Sequence, residues 1–313
     1  MKAYEGGYVD SINSISPQTA TRLLKQGARI ESSPLPRIFG IFLNQNQSPV
    51  FANIEIRKAL DKALDKAGLI ESVLYGYGEA LSGPIPPSFV EENMASTSTN
   101  ALATTTTHIE QAKSILVKSG WQISTTTGLL TKKTKKETQT LQFTIATADV
   151  PELVAAANFA KDTWEKLGAK VEVKTYEASD LNQNIIRPRK YDALLFGEVV
   201  GRDLDLFPFW HSSQRNDPGL NIALYANIDA DKKLTMGRAA TTTEARLDAY
   251  KKFAKDVFDD TPAIFLYSPD LLYVVPKNLK GFSLGKITNS SERFLSVLNW
   301  YLETDKVWKI FIR

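Results

Sequence analysis

Three carboxylates fall within the segment Gly197-Glu198-Val199-Val200-Gly201-Arg202-Asp203-Leu204-Asp205, and two kinds of chemistry could use them. Paired acids, Asp203 with Asp205 or Glu198 with one of them, are the parts of glycoside hydrolysis, in which one carboxyl protonates the leaving oxygen and the other attacks or activates water. A single acid turned toward a ligand ammonium would instead fix a bound molecule through a charge-assisted hydrogen bond. Aspartates also cap turns by accepting from nearby backbone N–H groups, and that role competes for both Asp203 and Asp205. No second catalytic signature accompanies the acids, which makes hydrolysis the weaker reading. Gly201 and Arg202 lie in the same loop, where Arg202 could meet a ligand carboxylate. Trp210 is either a pocket wall beside a ligand or a core anchor. His211, next to it, is a ligand contact or a hydrogen-bonded structural histidine. Asn44 could meet a ligand carbonyl or cap the loop that follows it.

Other chemistries lack their parts. The chain has no cysteine, which removes disulfides, thiolate zinc sites and thiol catalysis. Its two histidines, His108 and His211, are far apart in sequence, so a histidine-rich metal site and a Ser-His-Asp triad have little to work with. No cofactor is called for. The 38 Lys and Arg exceed the 35 Asp and Glu by only three charges, spread along the chain rather than gathered in the stripe of a nucleic-acid binder. The densest basic group, Lys132, Lys133, Lys135 and Lys136, reads as the tip of a hairpin or a solvated loop. The longest apolar run, Ala263 to Val275, is interrupted by Ser268, Pro269 and Asp270 and falls short of the roughly 18 residues of a membrane span. The first residues, Met1 to Gly7, carry no apolar signal region. With 313 residues, 43% of them hydrophobic, the chain can bury a substantial core, on the scale of about two domains.

These groups must be held by elements that the periodicity predicts. Ser16-Pro17 starts a short helix that stops at Gly27. Arg29 to Ser32 and Arg37 to Leu43 are strands, the second too apolar to be half exposed. Asn53 caps a helix with apolar positions Ile56, Leu60, Ala63, Leu64 and Ala67, and with Arg57, Lys58, Asp61, Lys62 and Asp65 on its solvated face. A second helical segment spans Leu69 to Leu74. Gly83 to Pro87 is a stiff loop, Ser96 to Thr107 a Thr-rich surface tract, and Ile109 to Ser119 a helix. From Leu141 strand and helix alternate, the signature of parallel α/β units. Strands are expected at Leu141–Thr147, Val171–Thr175 and Tyr191–Gly197. A helix along Leu153, Ala157, Ala160, Trp164 and Leu167 follows the first strand, and a short helix capped by Ser179 precedes the third. Glu244 to Phe258 is amphipathic, and Ile264–Tyr267 and Leu271–Val275 read as two strands. The loop from Gly197 to Asp203 then sits at the carboxyl end of a parallel strand, where open α/β sheets bind ligands.

Several segments, in order, resemble the solute-binding receptors of ABC importers for dipeptides and oligopeptides, the bacterial extracellular solute-binding family 5. Tyr4-Glu5-Gly6-Gly7-Tyr8-Val9-Asp10 is similar to the family's "aGevD" segment, and Pro36 to Asn44 to its crossing strand. Ile56-Arg57-Lys58-Ala59-Leu60 with Ala63-Leu64-Asp65-Lys66 resembles the "vRqAlsyAiDr" helix, the most specific of the motifs. Gly76 to Ala80, Gly83 to Pro87, the helix ending at Gly120-Trp121, the acidic loop before Phe209-Trp210-His211-Ser212-Ser213, Tyr225-Ala226-Asn227, Asp231 to Leu234 and Thr261 to Tyr267 continue the match over nearly the whole chain.

The resemblance implies a periplasmic-binding-protein-like, two-lobe α/β fold, here mainly the second lobe. Residues 1–37 would be a remnant of the first lobe, 38–275 the ligand lobe and 276–313 the return to the first lobe. It implies a non-catalytic, monomeric receptor outside the cytoplasm, anchored through an upstream segment, that hands a peptide to an ABC permease in the membrane. Asp203 or Asp205 would hold the ligand ammonium, although the two acids stand closer together than the family's usual pair. Relatives of this architecture also take oligosaccharides, metal chelates or haem, which keeps a non-peptide solute as the competing reading. The upstream half that family members usually carry is expected to be missing, so the chain alone should bind weakly.

Overall fold

The computed structural model describes residues 1–89, 105–135 and 137–302. Ser16 accepts a hydrogen bond from Thr19 N and opens α1 (Pro17–Lys25), with the proline where its missing N–H costs nothing. Two strands follow, β1 (Arg29–Pro34) and β2 (Arg37–Leu43). Ile38, Ile41, Phe42 and Leu43 of β2 are wholly buried because β2 lies between two other strands.

The helix expected to run on to Ala67 is two helices. Asn53 caps α2 (Ile54–Ala63), the chain then turns extended at Leu64 with ψ 123°, and Asp65 caps α3 (Lys66–Leu74) by accepting from Gly68 N at 2.9 Å. Arg57 departs from its expected place on the solvated face of α2: it is only 6% exposed. Its guanidinium donates to the carbonyls of Phe51 at 2.6 Å, Asp260 at 2.6 Å and Thr261 at 3.0 Å. Burial pulls its pKa down, and the neighbouring Asp260 opposes that shift.

The next helix, α4 (Thr105–Lys118), starts earlier than the apolar pattern indicated; residues 96–104 of the Thr-rich tract lie outside the described residues. Strands Leu130–Lys133 and Thr138–Thr140 pair antiparallel, so Lys132 and Lys133 end one strand of a hairpin and Lys135 lies beyond it; Lys136 itself lies outside the described residues.

The alternating region forms as its pattern predicts. In chain order come β3 (Gln142–Ala148), α5 (Pro151–Glu165), β4 (Lys170–Tyr176) and β5 (Ala193–Val199), with β3 parallel to both β4 and β5. Ser179 does not cap the short helix before β5. The cap position is Glu177, and Ala178–Asp180 passes into a wide turn at Leu181–Ile186. Two helices, α6 (Ile228–Ala239) and α7 (Thr243–Asp260), then lead to β6 (Ala263–Val275).

The two strands expected within β6 are one. Its first part pairs with β2, with a register shift between Phe265 and Tyr267, and its last part pairs with β1 from Asp270 onward. Pro269, which has no N–H to offer, sits at the exchange of partners, where Gly78–Ala80 pairs with β6. The main sheet runs β6, β2, β5, β3, β4, with β1 and two short strands also pairing with β6. A large core surrounds this sheet. A small one gathers Leu271, Tyr273 and Val275 against Leu279, Leu284 and Ile287.

Candidate functional site

At the end of β5, Val200 N donates to Pro36 O at 3.0 Å and the sheet stops. Gly201 then takes φ 76° and Leu204 φ 47°, left-handed conformations that suit glycine and strain leucine. They turn the chain back so that Phe207–Trp210 forms a single helical turn over the sheet.

Trp210 is the anchor of that turn. It is 0% exposed, and its ring lies among Phe42, Tyr225, Phe253 and Phe265 at centroid distances of 5.7 to 6.3 Å. In this structure the ring packs in the core. Asn221 fastens the same turn by donating to the carbonyls of Trp210, His211 and Tyr225. His211 stacks on Phe207 at 4.1 Å, and its Nδ1 lies 2.8 Å from Ser213 Oγ. Arg238 also lies over Phe207, 4.5 Å from its ring centroid.

The acids of the loop have different surroundings. Asp203 is exposed, and among the described residues only its backbone carbonyl is used, by Arg246. Asp205 accepts from Phe207 N at 3.2 Å, from the Tyr250 hydroxyl at 3.4 Å and from Arg238 at 2.9 Å. This is the turn-capping role, strengthened by an ion pair. Arg202 reaches away from the sheet to Glu292 at 2.8 Å.

The cavity of this region lies on the neighbouring face of β5. It measures about 310 Å³ and is lined by Phe196, Glu198, Phe209, Arg187, Arg189 and Asp217, among others. Asn44, Gly201, Arg202, Asp203, Asp205, Trp210 and His211 are not among its lining residues. Asn44 acts on it indirectly. Its side chain is 1% exposed, accepts from Asn46 N and Gln47 N, and donates to Arg189 O at 2.9 Å. Arg189 has φ 57°, and its guanidinium donates to the carbonyls of Ile186, Arg215 and Gly219. One wall of the cavity is thus tied together through a single side chain.

Glu198 stands out among the lining residues. It is 3% exposed, and neither carboxyl oxygen has a hydrogen-bond partner among the described residues. Burial drives its pKa well above the ordinary carboxylate range, a shift that the Trp210 indole N–H opposes without reaching bonding geometry. Sequence alone gave Glu198 a part only as half of a carboxylate pair. With Glu198 buried and Asp205 tied to Arg238, the loop holds no two open acids facing one substrate. The signal that could have found the site was an acid at an otherwise apolar end of a buried strand. Arg187, Arg189 and Asp217 carried no such signal, because the turns that gather them are remote in sequence.

Comparison with known proteins places this architecture. The model of "Bacterial extracellular solute-binding proteins, family 5 Middle" matches residues 1–218. The oligopeptide-binding protein AppA of Bacillus subtilis is 28% identical over 244 residues, 77% of this chain and 44% of that protein. Heme-binding protein A of Haemophilus influenzae is 26% identical, covering 72% of this chain and 38% of that protein. The solved structure of Bacillus subtilis AppA in complex with a nonapeptide superposes with a TM-score of 0.72 at 23% identity, covering 97% of this chain and 58% of that one. The chain thus spans less than half the length of these two curated relatives. Its fold is α/β and periplasmic-binding-protein-like, and the matched family consists of receptors rather than enzymes, which removes the hydrolase reading. By the extent of the family match, the chain belongs to family 5 of the bacterial extracellular solute-binding proteins.

Proposed function

We propose that this chain is the ligand-lobe portion of a receptor that captures peptides outside the cytoplasm and delivers them to an ABC permease. The observation that carries the reading is the cavity of about 310 Å³ at the carboxyl end of β5, the place where open α/β sheets receive ligands. An extended peptide held through its backbone would lodge one side chain there, main-chain hydrogen bonds giving affinity and the cavity giving selection. The name of the relative AppA, an oligopeptide-binding protein, supports a peptide as the solute. On this reading residues 38–275 form the ligand lobe, 1–37 and 276–313 belong to the other lobe, and the receptor works as a monomer.

A non-peptide solute is the second reading, favoured by the similarity to heme-binding protein A. Native mass spectrometry of the gently purified chain, alone and with a defined mixture of tripeptides to pentapeptides, separates the two. Retained peptide masses support the first reading. Exclusive retention of haem or a metal chelate contradicts it.

A further inference from the structure

Resting on the reading of the cavity as the solute site, we propose that Glu198 makes it selective for a cationic, N–H-rich group of the solute, an ammonium or a guanidinium. Glu198 lines the cavity, and its two carboxyl oxygens are both buried and both without a partner. Buried polar groups in folded proteins are almost always bonded, so an unbonded pair of oxygens beside a cavity calls for a donor, and a solute N–H group can supply one.

The other charged groups of the cavity already have partners. Arg187 donates to both carboxyl oxygens of Asp217, at 3.0 and 2.9 Å. Arg189 directs its three nitrogens at three backbone carbonyls. Neither cation turns to Glu198, so its carboxyl is the one ionisable group lining the cavity without a partner among the described residues. Phe196 and Phe209 also line the cavity; aromatic walls favour the alkyl stem of a lysine or arginine side chain and the face-on approach of its cationic head. The indole N–H of Trp210, which acts on the same carboxyl, is also buried and without a partner among the described residues. It can bond one oxygen once a solute cation has fixed the other.

Carboxyl-detected NMR of the chain labelled at glutamate tests this directly, with the Glu198 resonance assigned by its loss in Glu198→Gln. The probes are n-butylguanidinium chloride and, as the neutral control, n-butanol. The expected result is a saturable shift of the Glu198 resonance with the cation and none with the alcohol. The tripeptide Ala-Lys-Ala should further bind at least tenfold more tightly than Ala-norleucine-Ala, and Glu198→Gln should bring the two within about twofold. A silent Glu198 resonance together with equal affinities for both tripeptides overturns the proposal and leaves peptide capture standing. A shift with the cation but no binding of either tripeptide upholds Glu198 and removes the peptide reading. Silence with every probe removes both.

Discussion

Arg202 Nη2 lies 2.8 Å from Glu292 Oε2, joining the loop after β5 to a segment near the end of the described chain. Glu292 is a well-supported acceptor: it takes Thr288 N at 2.8 Å, the Thr288 hydroxyl and the Asn289 amide as well. The Thr288 N–H, with Arg202 and the Thr288 hydroxyl adding to it, holds its carboxyl down to about 2. In this structure Arg202 therefore clasps its loop to that segment.

Arg202→Ala should raise the Glu292 pKa only partway toward its ordinary value, since the largest contribution, from Thr288 N–H, survives. A carboxyl depressed in the folded state adds stability above its unfolded pKa, lost as the pH falls toward about 2. Because Arg202 is well exposed, its deletion should cost less than about 1 kcal/mol. Carboxyl NMR of Glu292 and acid unfolding of both forms check these outcomes.

The loop acids should part company on mutation. Asp205→Asn weakens the pair with Arg238 and the bond from Tyr250, and should cost about 1 kcal/mol in urea unfolding. Asp203→Asn, at an exposed carboxylate, should stay within about 0.5 kcal/mol. Both variants should hold peptides within about twofold of the parent chain. Loss of binding in Asp203→Asn alone would place the solute at the loop instead of the cavity.

Arg57→Met should be far more damaging than a change on a solvated helix face. It strips the carbonyls of Phe51, Asp260 and Thr261 of a shared donor, and leaving such groups buried and unmet costs about 2–4 kcal/mol. Arg57→Lys should recover only part of that loss, because a lysine lacks the planar fork that serves diverging acceptors. Thermal and urea unfolding of the two variants would show the difference.

Glu198→Gln should stabilise the free chain. A carboxyl whose folded pKa is raised contributes stability fully present below its unfolded pKa and lost as the pH rises toward the folded pKa. The glutamine variant, which does not titrate, should gain on the parent by about 1.4 kcal/mol per pH unit over that interval. Urea midpoints between pH 4 and pH 8 measure the gain, and a difference independent of pH would mean that Glu198 is not shut away from water. Higher stability without the acid is what a group kept for binding produces.

Much of this architecture was legible before any coordinates. Alternating apolar strands and helices from Leu141 onward state their parallel arrangement, because strands buried on both faces and helices buried on one leave different periods. The break between α2 and α3 was hidden because Asp65 fits a helix face as well as a cap, and only the extended backbone at Leu64 distinguishes them. Arg57 misled for a related reason: its spacing is that of a solvent position, but the segment after α7 folds over it. The two parts of β6 looked separate because Pro269 marks a change of pairing partner as readily as an end. The cavity was the least legible feature. Its walls come from the turn before β5 and the loop around Asp217, held together by Arg189 and, through it, Asn44.

The central claim is that solute enters the cavity beside Glu198. The Trp210 indole N–H is buried against that carboxyl and unbonded, whereas the Trp164 indole bonds Leu60 O at 2.9 Å elsewhere in the core. Titration of the nitrogen-labelled chain with millimolar Ala-Lys-Ala, read at the indole resonances, therefore reports occupancy of this place. Trp210 should shift saturably while Trp164 stays unmoved. A peptide that binds while Trp210 stays still, or that shifts only residues of the loop around Asp203, would contradict it.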